Sequence, residues 1–150
     1  MNNKSLKSYG NRTDKSMKTV VRLERVRLKI TNKTINYLSA NNLTFNQFKV
    51  LEVLYHRGNL NIGSITKLIM GTPGNTTVVV KNLKRDGWIT SIADPDDKRA
   101  SILTITQKGI EIIEKVFPNH AKQLRDSLDV LSDEELDTLY ELLNKVYKAN

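Results

Sequence analysis

The sequence predicts a mainly α chain with a small β-wing, an α+β architecture, and three observations predict it. A helix led in by Thr72-Pro73-Gly74-Asn75 closes at Asp86-Gly87. Two short strands follow, joined by Asp94-Pro95-Asp96-Asp97-Lys98-Arg99. Long stretches with apolar residues at helical spacing flank that centre on both sides. The 150 residues suffice for one domain with its own core and are too few to expect two.

Taken in order, residues 1 to 13 are polar and rich in Asn, Ser and Lys, with little to bury, which marks a flexible arm. From Asp14 to Ala40, the residues Met17, Val20, Val21, Leu23, Val26, Leu28, Ile30, Ile35 and Leu38 suit one long helix, about 40 Å at 1.5 Å per residue, ended by Asn41-Asn42. Apolar residues fall on more than one of its sides. It therefore needs more cover than one small domain supplies and reads as a dimer helix. Next, Thr44 and Gln47 have capping-box spacing, and Leu43 can staple onto Phe48. That helix runs through Leu51, Val53 and Leu54 to about His56, where Arg57-Gly58-Asn59 stops it. Asn61 can cap a short helix whose Ile62, Ile65, Leu68 and Ile69 make a core stripe, with Ser64, Thr66 and Lys67 outside.

After a Met70-Gly71 turn, Thr72 can cap the next helix. Pro73 suits its first position, because the N–H that proline lacks is one a helix start leaves unpaired anyway. Thr76, Val79, Val80 and Leu83 share one side, while Asn75, Val78, Lys81, Asn82 and Arg85 fall on a small, polar and basic one. The β-branched run from Thr76 to Val80 has strand propensity. Residues 81 to 86 continue a helix far better than a strand, and Gly87 sits where a helix C-terminal glycine belongs, so a helix is expected. Together the two helices make a helix-turn-helix pair over about residues 61 to 86.

Trp88 to Ala93 and Ser101 to Ile105 read as strands around turn chemistry, since Pro fixes φ and Asp bonds its local backbone. Three acids at that tip repel phosphate, so any contact with a polyanion there falls to Lys98 and Arg99, with Asp97 as their internal partner. Thr106 can cap a long helix through Ile110, Ile113, Val116, Phe117, Leu124, Leu128 and Leu131, interrupted and kinked at Pro118. Ser132 and Glu135 form a second capping box for a final helix bearing Leu136, Leu139, Tyr140, Leu142, Leu143 and Val146.

The run from Leu60 through Gly109 carries a family resemblance. Gly74-Asn75 enters the helix, Leu83 precedes Gly87 by four positions, Asp97-Lys98-Arg99 closes the wing tip, and Leu103-Thr104-Ile105-Thr106 leads to Gly109. This combination resembles the MarR family of winged-helix transcription regulators, over about residues 14 to 149. The resemblance implies a winged helix-turn-helix domain flanked by long N- and C-terminal dimerisation helices. The DNA-binding part would cover about residues 44 to 105 (wing about 88 to 105), and the dimerisation parts about 14 to 41 and 106 to 149, with 14 to 150 a single domain. It implies that the helix opening at Thr72 lies in the DNA major groove, that Arg99 enters the minor groove, and that Asp97 holds its guanidinium. Asn75, Thr77, Val78 and Lys81 would then face base edges, where an amide can read adenine and valine methyls can pack on a thymine methyl. Lys84, Arg85 and Lys98 would add basic contacts. Relatives of this kind often bind anionic aromatic molecules, and Arg22, Arg25, Tyr37, Phe48, Tyr55 and His56 could pair a cation with an aromatic wall here. The bland alternative is that Phe48 and Tyr55 are core residues and the arginines merely solvated.

Composition agrees with a polyanion partner and excludes several chemistries. There are 24 Lys plus Arg against 16 Asp plus Glu, a formal charge of +8. Residues 1 to 42 hold ten basic and two acidic side chains, whereas residues 110 to 150 hold five and nine, so the acidic end is available to lie between two basic first helices in a dimer. With no cysteine, disulfides, thiolate metal sites and thiol redox sensing are excluded. The two histidines, His56 and His120, do not make a zinc site, which takes three or four protein ligands. No phosphate-binding glycine loop and no nucleophile with a base are evident, so neither a cofactor nor enzymatic activity is expected. No apolar run approaches the ~20 residues of a membrane span, and a cytoplasmic protein is expected.

The expected function is a homodimeric regulator on a near-palindromic double-stranded DNA operator, a repressor released by a small anionic aromatic effector. Two alternatives stay open on the residues: a DNA-binding protein without effector, constitutive or architectural, and a helical partner-binding protein whose basic face only solubilises it.

Overall fold

The computed structural model describes residues 7–95 and 101–150. Six helices and a three-stranded antiparallel sheet make up the described chain: α1 (Asn11–Ala40), α2 (Phe45–Arg57), β1 (Leu60–Asn61), α3 (Ile62–Leu68), α4 (Pro73–Arg85), β2 (Ile89–Ala93), β3 (Ser101–Ile105), α5 (Gln107–Leu128) and α6 (Asp133–Lys148). The mainly helical architecture with its small wing agrees with the expected fold class.

α1 starts three residues earlier than the sequence pattern predicts. Asp14 explains the difference, because its carboxylate accepts the Ser8 hydroxyl (2.6 Å) and the Tyr9 N–H (3.0 Å), folding residues 8 to 10 back over the helix start. Those bonds hold the Asp14 carboxyl below its ordinary range. At the other end Asn42 takes a left-handed φ of 57°, and the Leu38 carbonyl accepts the N–H of both Asn41 and Leu43. Of the thirty residues of α1, only Thr34 and Leu38 are buried.

α2 opens with the expected capping box: the Thr44 hydroxyl accepts the Gln47 N–H (3.2 Å) while the Thr44 N–H donates to Gln47 Oε1 (2.9 Å). Its Phe48, Val50, Leu51 and Leu54 are buried and form the centre of the core, joined by Leu38, Ile65, Leu83, Leu103, Ile113 and Val116. Each such fully buried side chain is worth roughly 1.5–3 kcal/mol relative to exposure. Asn61 caps α3 by accepting the Ser64 N–H at 2.8 Å. The expected stripe of α3 is corrected in part. Ile65 and Ile69 are buried, but Ile62 and Leu68 are 38% and 48% exposed, because a helix this short presents only one turn of a stripe to α2 and α4.

The sheet order is β1-β3-β2. β2 and β3 pair from Ile89↔Ile105 to Ala93↔Ser101, and β1 adds Leu60↔Leu103 and Asn61↔Ile102. β1 was not expected. Two residues are too few to show an alternating pattern, and only the pairing with β3 makes them a strand.

α5 begins against the sheet, and the Thr-x-x-Gly spacing has a steric reason. Thr106 donates its hydroxyl to the Gly87 carbonyl (2.7 Å) and its N–H to the Trp88 carbonyl (3.1 Å), and its hydroxyl oxygen accepts the Gly109 N–H (3.2 Å). A Cβ on residue 109 would collide with the Trp88 carbonyl oxygen. The expected interruption at Pro118 is absent: α5 is one continuous helix that ends at Leu128, short of Leu131. Pro118 is exposed while Val116 and His120 are buried, so the missing donor falls on the solvent side, where water can reach the freed carbonyl. α6 opens with the second capping box, Ser132 with Glu135, and has no buried residue at all.

Candidate nucleic-acid interface

The site is built on α3, its turn and α4. Met70 carries a left-handed φ of 52°, and the turn closes through Met70 N–H to the Lys67 carbonyl (3.1 Å) and Gly71 N–H to the Thr66 carbonyl (2.9 Å). Gly71 is required by close approach rather than by φ, since a Cβ there would lie 2.9 Å from Thr76 Oγ1. Thr72 then caps α4, its hydroxyl accepting the Asn75 N–H at 3.4 Å, with Pro73 in the first turn. Thr76, Val79, Val80 and Leu83 are buried as the spacing predicts, and that anchoring turns the opposite face outward.

On the outward face the structure brings Asn75, Thr77, Val78 and Lys81 together, all exposed. Thr77 donates its hydroxyl hydrogen to the Pro73 carbonyl (2.8 Å), which leaves the oxygen as an acceptor. Val78 is 57% exposed, an apolar group that no part of its own fold covers. The face thus offers a donor and acceptor amide, an acceptor hydroxyl, two methyls and a cation, the chemistry needed to read base edges.

Lys84 and Arg85 are held differently. Lys84 Nζ donates to Ser91 Oγ (3.0 Å), tying α4 to β2, and the Arg85 guanidinium forks onto its neighbour Asp86 at 2.9 and 3.3 Å. The Arg85 bonds, and then the charges of Arg85 and Lys108, keep the Asp86 carboxyl below its ordinary range. Asp97, Lys98 and Arg99 lie outside the described residues.

Sequence reasoning left Lys67 simply outside the core. In the fold it borders a mainly apolar hollow of ≈ 290 Å³ between α3 and α4, with Ile62, Gly63, Thr66, Pro73 and Thr77. The exposure of Ile62 was the missing signal, and it is visible only once the two helices are packed.

The residues expected to hold a small molecule divide into two groups. Phe48, Tyr55 and His56 join a chain of rings completed by Phe117 and His120: Tyr55–His56 centroids lie 5.0 Å apart, His56–Phe117 4.7 Å and Phe48–His120 4.8 Å. The Tyr55 hydroxyl donates to Glu114 Oε1 (3.2 Å), which raises its pKa. His120, only 7% exposed, has a buried Nδ1 without a partner among the described residues, and burial lowers its pKa. Arg22 and Arg25 are elsewhere: they border a shallow hollow of ≈ 460 Å³ with Met17, Lys18 and Val21, all on α1. Arg25 precedes Leu38 by thirteen positions, about 20 Å along a helix, so one copy of the chain does not bring the arginines to the rings. Tyr37 is half-buried against the core. Among the described residues no group of three or more His, Cys, Asp or Glu could hold a metal ion, and no helix is long and apolar enough to cross a membrane.

Comparison with known proteins gives a consistent result. The family model described as MarR family matches residues 43–101. The HTH-type transcriptional regulator MhqR of Bacillus subtilis (strain 168) is 33% identical over 134 residues, covering 89% of this chain and 92% of that protein. Among solved structures, a mutant E. coli MarR complexed with operator DNA superposes with a TM-score of 0.80 at 24% identity, covering 91% of this chain and 99% of the other. Bordetella bronchiseptica BpsR, whose DNA binding is described as regulated by 6-hydroxynicotinic acid, gives 0.77 at 22% identity, covering 87% and 98%.

Proposed function

The chain belongs to the MarR family and is a DNA-binding transcription regulator, not an enzyme, and from that premise we propose that it is a homodimeric repressor of a near-palindromic operator, released by a small anionic aromatic effector. The observation that carries the reading is the outward face of α4, where Asn75, Thr77, Val78 and Lys81 stand exposed beside a buried anchoring face. In a two-fold dimer such helices reach successive major grooves about one helical turn apart. Arg99 is assigned to the minor groove, and Lys84, Arg85 and Lys98 to phosphate. Lys84 and Arg85 would have to leave Ser91 and Asp86, both exposed bonds of small net worth.

Dimerisation is supported by apolar surface that the chain leaves open: Val20, Leu23 and Val26 on α1, and Leu136, Tyr140, Leu143 and Val146 on α6, are all at least 38% exposed. The effector reading is supported by the ring cluster of Phe48, Tyr55 and His56 and by BpsR, which responds to an anionic aromatic acid. In a dimer, Arg22 and Arg25 of one protomer could meet the rings of its partner. A regulator that meets the chromosome works in the cytoplasm.

The test is footprinting and gel shift on DNA upstream of the protein's own coding sequence, with and without aromatic acids. Paired protected half-sites, released by an acid, are expected. Asn75→Ala should cost ~1–3 kcal/mol on the operator and relax base preference at one position per half-site. Equal weakening on every sequence would remove Asn75 from the base contacts, and no protected site at all would sink the operator reading.

A further inference from the structure

α1 carries a second charged surface that the recognition helix and wing do not use. Lys15, Lys18, Arg22, Arg25, Lys29 and Lys33 recur at intervals of three and four residues, which places all six along one side of the helix over about 27 Å. Every one is exposed, and none makes an ion pair among the described residues. The only two acids of α1 are already engaged. Asp14 is bonded by Ser8 and Tyr9, and Glu24 by Arg27 at 2.7 Å, away from the stripe. Thr34 and Leu38, the buried residues of α1, lie on the other side of the helix, so most of the stripe faces away from the core, while Lys29 and Lys33 border a hollow shared with Val26, Ile30 and Ser127 of α5.

Two occupants compete for such a face. The acidic α6 of a second copy is one, but its charges are badly placed. Glu134, Asp137 and Glu141 lie opposite the apolar face made by Leu136, Leu139, Leu143 and Val146, so docking the apolar face turns the acids outward. The same acidic side then continues into Lys145 and Lys148, and spans about two turns against five on α1. Duplex DNA is the other occupant. It carries about one negative charge per 1.7 Å of axis, uniformly, and matches a long, even row of cations at any register.

We infer that the α1 stripe is a sequence-independent phosphate-binding surface that holds duplex DNA in addition to the operator contacts of α4. The inference rests on the reading of the chain as a DNA-binding regulator in taking DNA as the polyanion. Its chemical content is phosphate neutralisation by Lys and Arg, without base readout.

The test measures binding to a duplex that lacks half-sites as a function of salt, for the wild type and for the variant K15Q/K18Q/K29Q/K33Q, which leaves Arg22 and Arg25 in place, with helicity checked by circular dichroism. The log–log salt slope should flatten by about 0.9 for each lysine engaged, up to about 3.6, while base preference on the operator is kept. An unchanged slope in a folded variant overturns the inference, as does loss of dimer with the slope retained, which would hand the stripe to the partner's α6. If the variant does not fold, acetylation of Lys15, Lys18, Lys29 and Lys33 in the wild-type protein decides. Protection by the same duplex supports the surface, and unaltered reactivity overturns it. Base preference tested through Asn75→Ala is a separate readout, so the stripe can fail while the operator reading stands.

Discussion

Of the buried polar residues described, Thr34, Thr76 and His120, only His120 can take up a proton. It packs edge-on against Phe48 and lies near Phe117, and neither ring can solvate a charge. Burial therefore depresses its pKa below the ordinary 6.5. As pH falls, the unfolded chain binds this proton first. Stability is held above about 6.5 and is lost on acidification toward the lower folded value. Glu52 has the opposite sign: burial raises its pKa, so its ionisation erodes stability as pH rises from 4.5 through the folded value. Comparing His120→Leu with the wild type isolates the histidine. The thermal midpoint of the variant should depend less on pH between about 7 and 5, measured by circular dichroism. Parallel curves would mean that His120 is solvated in the native state.

At the scale of the element, α4 and α5 are set by what surrounds them as much as by propensity. The β-branched run of α4 folds as a helix because Thr72 caps it, Gly87 with φ 74° ends it, and Thr76, Val79, Val80 and Leu83 all enter the core on a helical period. α5 depends on a single close approach. With Gly109 against the Trp88 carbonyl and Thr106 bonded to Gly87 and Trp88, the first turn of α5 is locked onto the start of β2. Gly109→Ala must push backbone against backbone. It should destabilise the protein by roughly 1–3 kcal/mol, the usual range for overpacking, read as a lower denaturant midpoint at unchanged slope. A neutral substitution would show that α5 can slide off the sheet freely.

At the scale of the molecule, the two terminal helices leave apolar surface exposed, Val20, Leu23 and Val26 on α1 and Leu136, Tyr140, Leu143 and Val146 on α6. α6 is amphipathic, capped at Ser132, acidic in its first turn and basic in its last, so it is locally well made. Yet none of its residues is buried, and an isolated helix of this length is marginal in water. In the proposed homodimer, a second copy that covers Leu136, Leu139, Leu143 and Val146 would supply the missing burial. Truncation after Leu131 should then yield a monomer or an aggregate that binds operator DNA poorly, because paired half-sites need paired recognition helices. A truncated protein that sediments as a dimer and keeps full affinity would contradict this arrangement.

The sequence by itself determined that the six helices exist, the N-terminal caps of α2 to α6 and the outward face of α4, because capping and the helical period are local properties. Thr44 with Gln47, Ser132 with Glu135, and Thr72 before Pro73 fall within four residues of one another, and each was legible without knowledge of the fold. Tertiary structure alone decided the rest. Leu60 and Asn61 became a strand because β3 lies beside them, Ile62 and Leu68 stayed exposed because α3 is one turn too short, and Pro118 was tolerated because it faces water. The separation of Arg22 and Arg25 from the rings of Tyr55 and His56 belongs to the same class. Distances between helices depend on how whole faces pack, and no pattern within one helix encodes them.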